Sequence, residues 1–217
     1  MLRSDARDNR DRVLEAAREL FADRGLDVPM REIARRAQVG PATLYRRFAT
    51  KQALIDAAFD AEMRACAALV RDGCADPDPW RGLCAIIQGA TELNARSRGF
   101  VDALSSVPDG VSVPDHRRVL LRSVEGLCRR AIDAGALRPD FVLDDLVLML
   151  LAARGLPVAS LDARLAAAHR FAGLALEAFR ATSEAGPLPP PARLIPAMLP
   201  SLDHTSATTS QSAERGR

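Results

Sequence analysis

Aromatic residues are scarce in this chain, at 4% of 217. Proline and glycine, 14 and 13 residues, gather at the ends of segments. With Ala, Leu and Arg abundant, this composition favours helices over sheets, and no stretch shows a strand's alternation. No apolar run approaches the roughly 20 residues that span a bilayer. The start, Met1-Leu2-Arg3-Ser4-Asp5, lacks the apolar stretch of a signal peptide, so a cytoplasmic location is expected. Cysteine is limited to Cys66, Cys74, Cys84 and Cys128, with no C-x-x-C spacing, and free, partly buried thiols are expected. His116, His169 and His204 are scattered. No metal-ligand spacing, phosphate loop or nucleophile elbow is present, which argues against an enzyme and implies neither metal nor cofactor. What is there, 48% hydrophobic and 27% charged residues, is globular and excludes a disordered or collagen-like chain.

Charge is unevenly placed. The net +2 divides into +3 over residues 1–50 and −1 over 51–217. Within 31–51, Arg31, Arg35, Arg36, Arg46, Arg47 and Lys51 face one acid, Glu32, so this window carries +5. A short basic stretch on a nearly neutral chain points to a polyanionic partner; the bland alternative is a solvated helical face.

The apolar spacing predicts an all-α protein of about nine helices. Residues 1–9 read as a flexible arm, and Asp8 is placed to cap a helix ending near Arg24 before Gly25. Val13, Leu14, Ala17, Leu20 and Phe21 form its buried stripe. Two short helices follow, Pro29 to about Ala37 and Pro41 to about Phe48, parted by Gln38-Val39-Gly40. Thr50 caps a long helix running through Val70. Further helices are expected at Trp80–Arg96, Ser97–Ser106, Asp115–Ala134, Leu143–Arg154 and, after a Ser160 cap, to about Ser183, with a loop at Pro108–Pro114. The expected organisation is an arm at 1–9, a three-helix domain at 10–50, a helical domain at 51–185 and a Pro/Ser/Thr-rich tail at 186–217. A brief helical turn is expected near 192–199.

Two short helices joined by a three-residue turn, the second rich in Thr, Tyr and Arg, form the helix-turn-helix pattern. Such a helix needs one face to pack and one to read. Ile33, Ala37, Val39, Leu44 and Phe48 supply the first; Ala42, Thr43, Tyr45, Arg46 and Arg47 supply the second. Arginine can bond guanine O6 and N7 together, and Thr and Tyr hydroxyls suit phosphates or base edges. The competing reading is an all-helical interaction module or enzyme whose basic hairpin only looks like a DNA reader.

The run Val39-Gly40-Pro41-Ala42-Thr43-Leu44-Tyr45-Arg46-Arg47-Phe48-Ala49-Thr50-Lys51-Gln52-Ala53-Leu54 resembles the signature of TetR-type transcriptional regulators. Val13 to Ala17, Leu20-Phe21, Gly25 and Met30 to Ala34 extend that resemblance upstream. The stretch Gly135 to Asp140 with Asp144-Asp145-Leu146 is similar to the approach to the dimer helices in one actinobacterial-looking branch. The resemblance implies a homodimer on palindromic double-stranded DNA, usually a repressor released by a small molecule. It further implies phosphate contacts from Thr43, Tyr45 and Lys51, and base-edge approach by Pro41, Ala42 and Arg46. Arg31 and Arg47 complete the DNA-binding set. Three positions depart from the pattern: Arg47 stands where His is common, Gln38 replaces the turn Gly, and Pro29 stands near a common phosphate-binding Thr.

The last two long helices carry apolar residues on more than one face, including Leu146, Leu150, Leu165, Phe171 and Leu176, with small residues such as Ala172 and Gly173 between. They are expected to pair with a second copy, since reading half-sites needs two readers. The middle helices are expected to enclose a ligand cavity for a mostly apolar effector. Its candidates on the earlier helices are Met63, Ala67, Trp80, Cys84, Ile87, Gln88 and Thr91. Those further along are Phe100, Leu104, Leu120, Ser123, Val124 and Leu127. Ordinary core packing is the bland reading for most of them.

Overall fold

The structure, a computed structural model, describes residues 2–105, 115–154, 160–183, 186–192 and 194. The expected loop at Pro108–Pro114 and nearly all of the expected turn at 192–199 lie outside these residues. The described residues form helices α1 (Leu2–Arg24), α2 (Met30–Arg36), α3 (Pro41–Arg47), α4 (Lys51–Ala58) and α5 (Asp60–Ala75). They continue with α6 (Pro79–Arg96), α7 (Phe100–Ser105), α8 (Asp115–Asp133), α9 (Leu143–Arg154) and α10 (Leu161–Phe179). No helix among them is long and apolar enough to cross a membrane.

Three expectations need correction. The first helix, expected to start at an Asp8 cap, begins instead at Leu2, with no Pro or Gly before Gly25 to interrupt it. The helix starting at Thr50 is two helices, so the described residues hold ten rather than nine. It breaks at Phe59 (φ −110°, ψ 16°). There the Ala58 carbonyl accepts a hydrogen bond from Arg18 Nε at 2.7 Å instead of continuing the ladder, a side-chain intrusion of the kind that kinks helices. The Phe59 ring lies between Phe21 and Phe100, with centroids 6.3 and 6.5 Å away. Finally, α10 stops at Phe179, where the chain forms an antiparallel bridge, Arg180 to Leu137, in place of another helical turn.

Two apolar clusters hold the molecule. The first joins α1 to α4 and continues into Cys66, Phe100 and Ala103. The second surrounds α6, which packs against α5, α8, α9 and α10. The α5–α6 crossing is close enough to require glycine: a Cβ on Gly82 would stand 2.1 Å from the Gly73 carbonyl oxygen. Asp78 starts α6 by accepting hydrogen bonds from the Trp80 and Arg81 amides at 2.9 and 3.1 Å. Thr50 and Ser160 cap α4 and α10 as expected, accepting from the Ala53 and Ala163 amides at 3.0 and 3.2 Å.

The chain after α10 is strapped to the body. Arg138, 8% exposed, donates to both Asp140 carboxylate oxygens and to the Gly186 carbonyl at 2.9 Å. Asp140 accepts from the Leu188 amide at 2.8 Å, and Asp144 from the Leu194 amide. The Arg138 hydrogen bonds, followed by the Leu188 amide, hold the Asp140 carboxyl down at about 2. A carboxyl lowered by folding stabilises the native state above the ordinary carboxylate range, near 4, and that contribution disappears as the pH falls toward 2. Asp140→Asn is therefore expected to be less stable than wild type at neutral pH, with the gap closing between about pH 4 and pH 2. Urea midpoints measured across that range check this; a gap that does not change with pH contradicts it.

Candidate nucleic-acid interface

The α2–α3 turn is fixed by its hydrogen bonds. The Val39 amide donates to the Ala34 carbonyl at 3.0 Å and the Gln38 amide to the Arg35 carbonyl at 3.2 Å. This double closure is the Schellman ending of a helix, and it requires a left-handed residue at Gln38. Gln38 has φ 56° and is the one non-glycine residue with positive φ among those described. Val39 then folds back onto the first apolar cluster, and Gly40 leads into Pro41 at the first turn of α3.

On α3, Leu44 (1% exposed) and the following Phe48 anchor the helix in that cluster. By helical geometry Ala42 and Arg46 stand about 160° around the axis from Leu44, so they face away from the protein. Pro41, Ala42, Tyr45, Arg46 and Arg47 are all exposed, Thr43 is half-buried, and Tyr45 keeps 51% of its surface in solvent. Arg46 lies along its own helix, with long contacts of 3.4 Å to the Ala42 carbonyl and 3.3 Å to Thr43 Oγ1. Lys51 sits at the start of α4 and Arg31 is exposed on α2.

The basic window separates into two groups. Arg36 is 2.6 Å from Glu19, while Arg35 shares Glu32 with Arg24. Arg31, Arg46, Arg47 and Lys51 have no carboxylate partner among the described residues. Of the six cations in the window, two are therefore ion-paired within the protein and four are not, among the described residues.

A cavity of about 90 Å³ lies among α5, α6, α7, α8 and α9. Of the expected ligand residues, Phe100, Leu104, Leu120 and Val124 line it. Ile87 and Leu127 are instead sealed in the core, and Thr91, also buried, donates to the Ile87 carbonyl at 2.6 Å. Met63 and Ala67 are half-buried away from the wall, and Gln88 is exposed. Ser123 Oγ donates to the Val119 carbonyl at 2.9 Å. Cys84 is half-buried outside the cavity, and Trp80 packs beneath the Arg180 guanidinium, 5.1 Å from the ring centroid. The wall on α6 is made by Ile86 and Ala90, one step around the helix from Ile87 and Thr91. Leu143, Leu146, Val147 and Leu150 of α9 supply a side the sequence reading did not assign.

Arg117, 4% exposed, was also missed. Burial lowers its pKa, and the Asp56 charge opposes that shift. Burial pushes the Cys66 thiol, another wall residue, up to about 11, which keeps it protonated. No three His, Cys, Asp or Glu side chains among the described residues are grouped to hold a metal.

The family model of bacterial regulatory proteins, tetR family, matches residues 13–58. The TetR transcriptional regulator SCO0520 from Streptomyces coelicolor is 30% identical, over 80% of this chain and 99% of its own, with a TM-score of 0.46. The chain belongs to the TetR family of DNA-binding transcriptional regulators. The fold likeness of this TetR protein is carried by PfmR from Thermus thermophilus, with a TM-score of 0.58 at 20% identity over 82% of this chain and 98% of that one. The HTH-type transcriptional regulator UidR of Escherichia coli K12 is 39% identical over 57 residues, 26% of this chain and 29% of that protein. The chain thus matches under a third of the length of that curated relative.

The strained turn generates a stability prediction. Gln38→Gly removes the left-handed penalty at the cost of added unfolded-chain entropy, a net gain of about 0.5–1 kcal/mol. Gln38→Val, β-branched at positive φ, loses more than about 1 kcal/mol. Denaturant midpoints of the two variants should bracket wild type; a Gly variant less stable than wild type contradicts the turn geometry.

Proposed function

We propose that this TetR-family protein is a homodimeric repressor. It binds a palindromic operator through α3 and is released by a small, mostly apolar effector. The observation that carries this reading is the outward face of α3, where exposed Ala42 and Arg46 stand opposite buried Leu44, exposed Tyr45 lies between, and the neighbouring cations lack carboxylate partners among the described residues. Pro41, Ala42 and Arg46 are assigned to base edges. Thr43, Tyr45, Arg47 and Lys51, with Arg31 at the flank, are assigned to phosphates.

Residues 10–50 form the DNA-binding unit in this reading, and 51–185 bind the effector and the second copy. The dimer surface is assigned to α9 and α10. Their inner faces, including Met149, Leu150, Ala172 and Leu176, are buried within the chain. Leu148, Leu161 and Leu174 remain 49%, 42% and 55% exposed on those two helices. A Cβ on Gly173 would meet nothing within 4 Å, leaving room for a close helix. Two readers on one face of B-DNA must be about 34–36 Å apart or a multiple of that, so an effector that alters their separation weakens binding without touching α3.

Reading and gripping can be separated experimentally. Arg46→Ala is expected to cost roughly 1–3 kcal/mol and to relax preference at one base position. Lys51→Ala is expected to weaken all duplexes alike and to flatten the salt dependence by about one unit. If each protomer neutralises about three phosphates, the wild-type log–log salt slope is about −5. Binding titrations against salt on operator and unrelated duplexes check all three; equal, sequence-blind losses from both variants contradict the assignment.

A further inference from the structure

The cavity wall consists of apolar side chains and the Cys66 thiol, with one exception among the described residues: Arg117. No carboxylate is among those wall residues. Arg117 lies on the first turn of α8, and its Nη2 donates to Asp56 Oδ1 on α4 at 3.3 Å. Asp56 is on the other side of this pair, 46% exposed at the solvent edge. The same Oδ1 accepts a hydrogen bond from Gln52 Nε2 at 2.8 Å, so Asp56 keeps a protein partner and water if Arg117 turns away. A guanidinium is always charged, presents a planar fork matched to carboxylate or phosphate oxygens, and acts more strongly where water is excluded. A neutral apolar ligand gains nothing from that group. A ligand with a negative end and an apolar body satisfies both parts of the wall.

We propose that the cavity selects an amphipathic anion, whose negative group pairs with Arg117 in exchange for Asp56 and whose apolar body lies among Ile86, Phe100, Val124, Leu146 and Leu150. The proposal rests on the effector reading above and adds the chemical class of the effector. It also says where the ligand acts. The exchanged partner, Asp56, belongs to α4, which begins four residues after α3 ends. Ligand entry therefore removes a tie between α8 and the helix that carries the reader.

The test uses octanoate and octan-1-ol, which share a chain and differ in charge, titrated by calorimetry into the full chain without DNA. Octanoate is expected to bind at least tenfold tighter than octan-1-ol. Arg117→Met is expected to abolish that preference, and Arg117→Lys, which keeps the charge, to retain part of it. Asp56→Asn, which removes the competing carboxylate, is expected to tighten octanoate several-fold and leave octan-1-ol unchanged. Circular dichroism confirms that each variant folds; if Arg117→Met does not, the Lys and Asp56 variants decide the question. Equal affinities in wild type, a preference that survives Arg117→Met in folded protein, or binding of neither probe overturns the proposal. A parallel titration of a bound duplex keeps the two readings apart. Selective octanoate binding with unchanged DNA affinity refutes effector release and upholds the charge assignment. Release of DNA by octan-1-ol and not by octanoate does the reverse.

Discussion

Phe59 is the constraint on which the two halves of the molecule depend. Its ring is fully buried between Phe21 of α1 and Phe100 of α7. Burying three aromatic rings in one place ties the first helix of the reader to a wall of the cavity, because Phe100 also faces that space. The backbone yields to this packing: the helix that begins at Lys51 turns at Phe59, and the Ala58 carbonyl is redirected to Arg18. Where the chain enters α7, Gly99 takes the left-handed φ of 85° that favours glycine, in van der Waals range of the Phe21 backbone. The first apolar cluster accordingly does not stop at the end of the helix-turn-helix but includes Cys66, Phe100 and Ala103.

Within the reader, charge is divided by geometry. Arg24, Arg35 and Arg36 are engaged with Glu32 and Glu19, and these exposed pairs contribute little stability. Their effect is to leave a smaller set of cations on and beside α3. Tyr45 adds an exposed ring beside them. Leu44, Phe48 and the Schellman turn hold the backbone beneath that face.

Much of this was legible in the sequence. Gly25, Pro29, Pro41, Thr50 and Ser160 act through local hydrogen bonding or fixed φ, so they marked helix ends well. Gln38 could be flagged as a strained turn residue because the pattern places glycine there. Phe59 could not be located as a break, since its cause is the tertiary contact with Phe21 and Phe100 and the Arg18 side chain. The cavity was located only in part for a related reason. Apolar periodicity shows that α6 is buried on a broad face but not which neighbour each step meets, and a rotation of one residue separates Ile86 from Ile87. Arg117 was invisible because a lone arginine in a sequence with 30 basic residues reads as surface. Only its burial distinguishes it. The strap from Arg138 through Asp140 to Leu188 was hidden by the prolines around it, which suggested a free tail.

The central claim is that α3 reads base edges as one of a symmetric pair. The most direct measurement is selection of bound duplexes from a random-sequence pool, followed by sequencing. The account predicts enrichment of an inverted repeat whose two half-sites recur at a fixed spacing on one face of the helix. Enrichment of a single unpaired half-site, or of no sequence at all above the input pool, would contradict it.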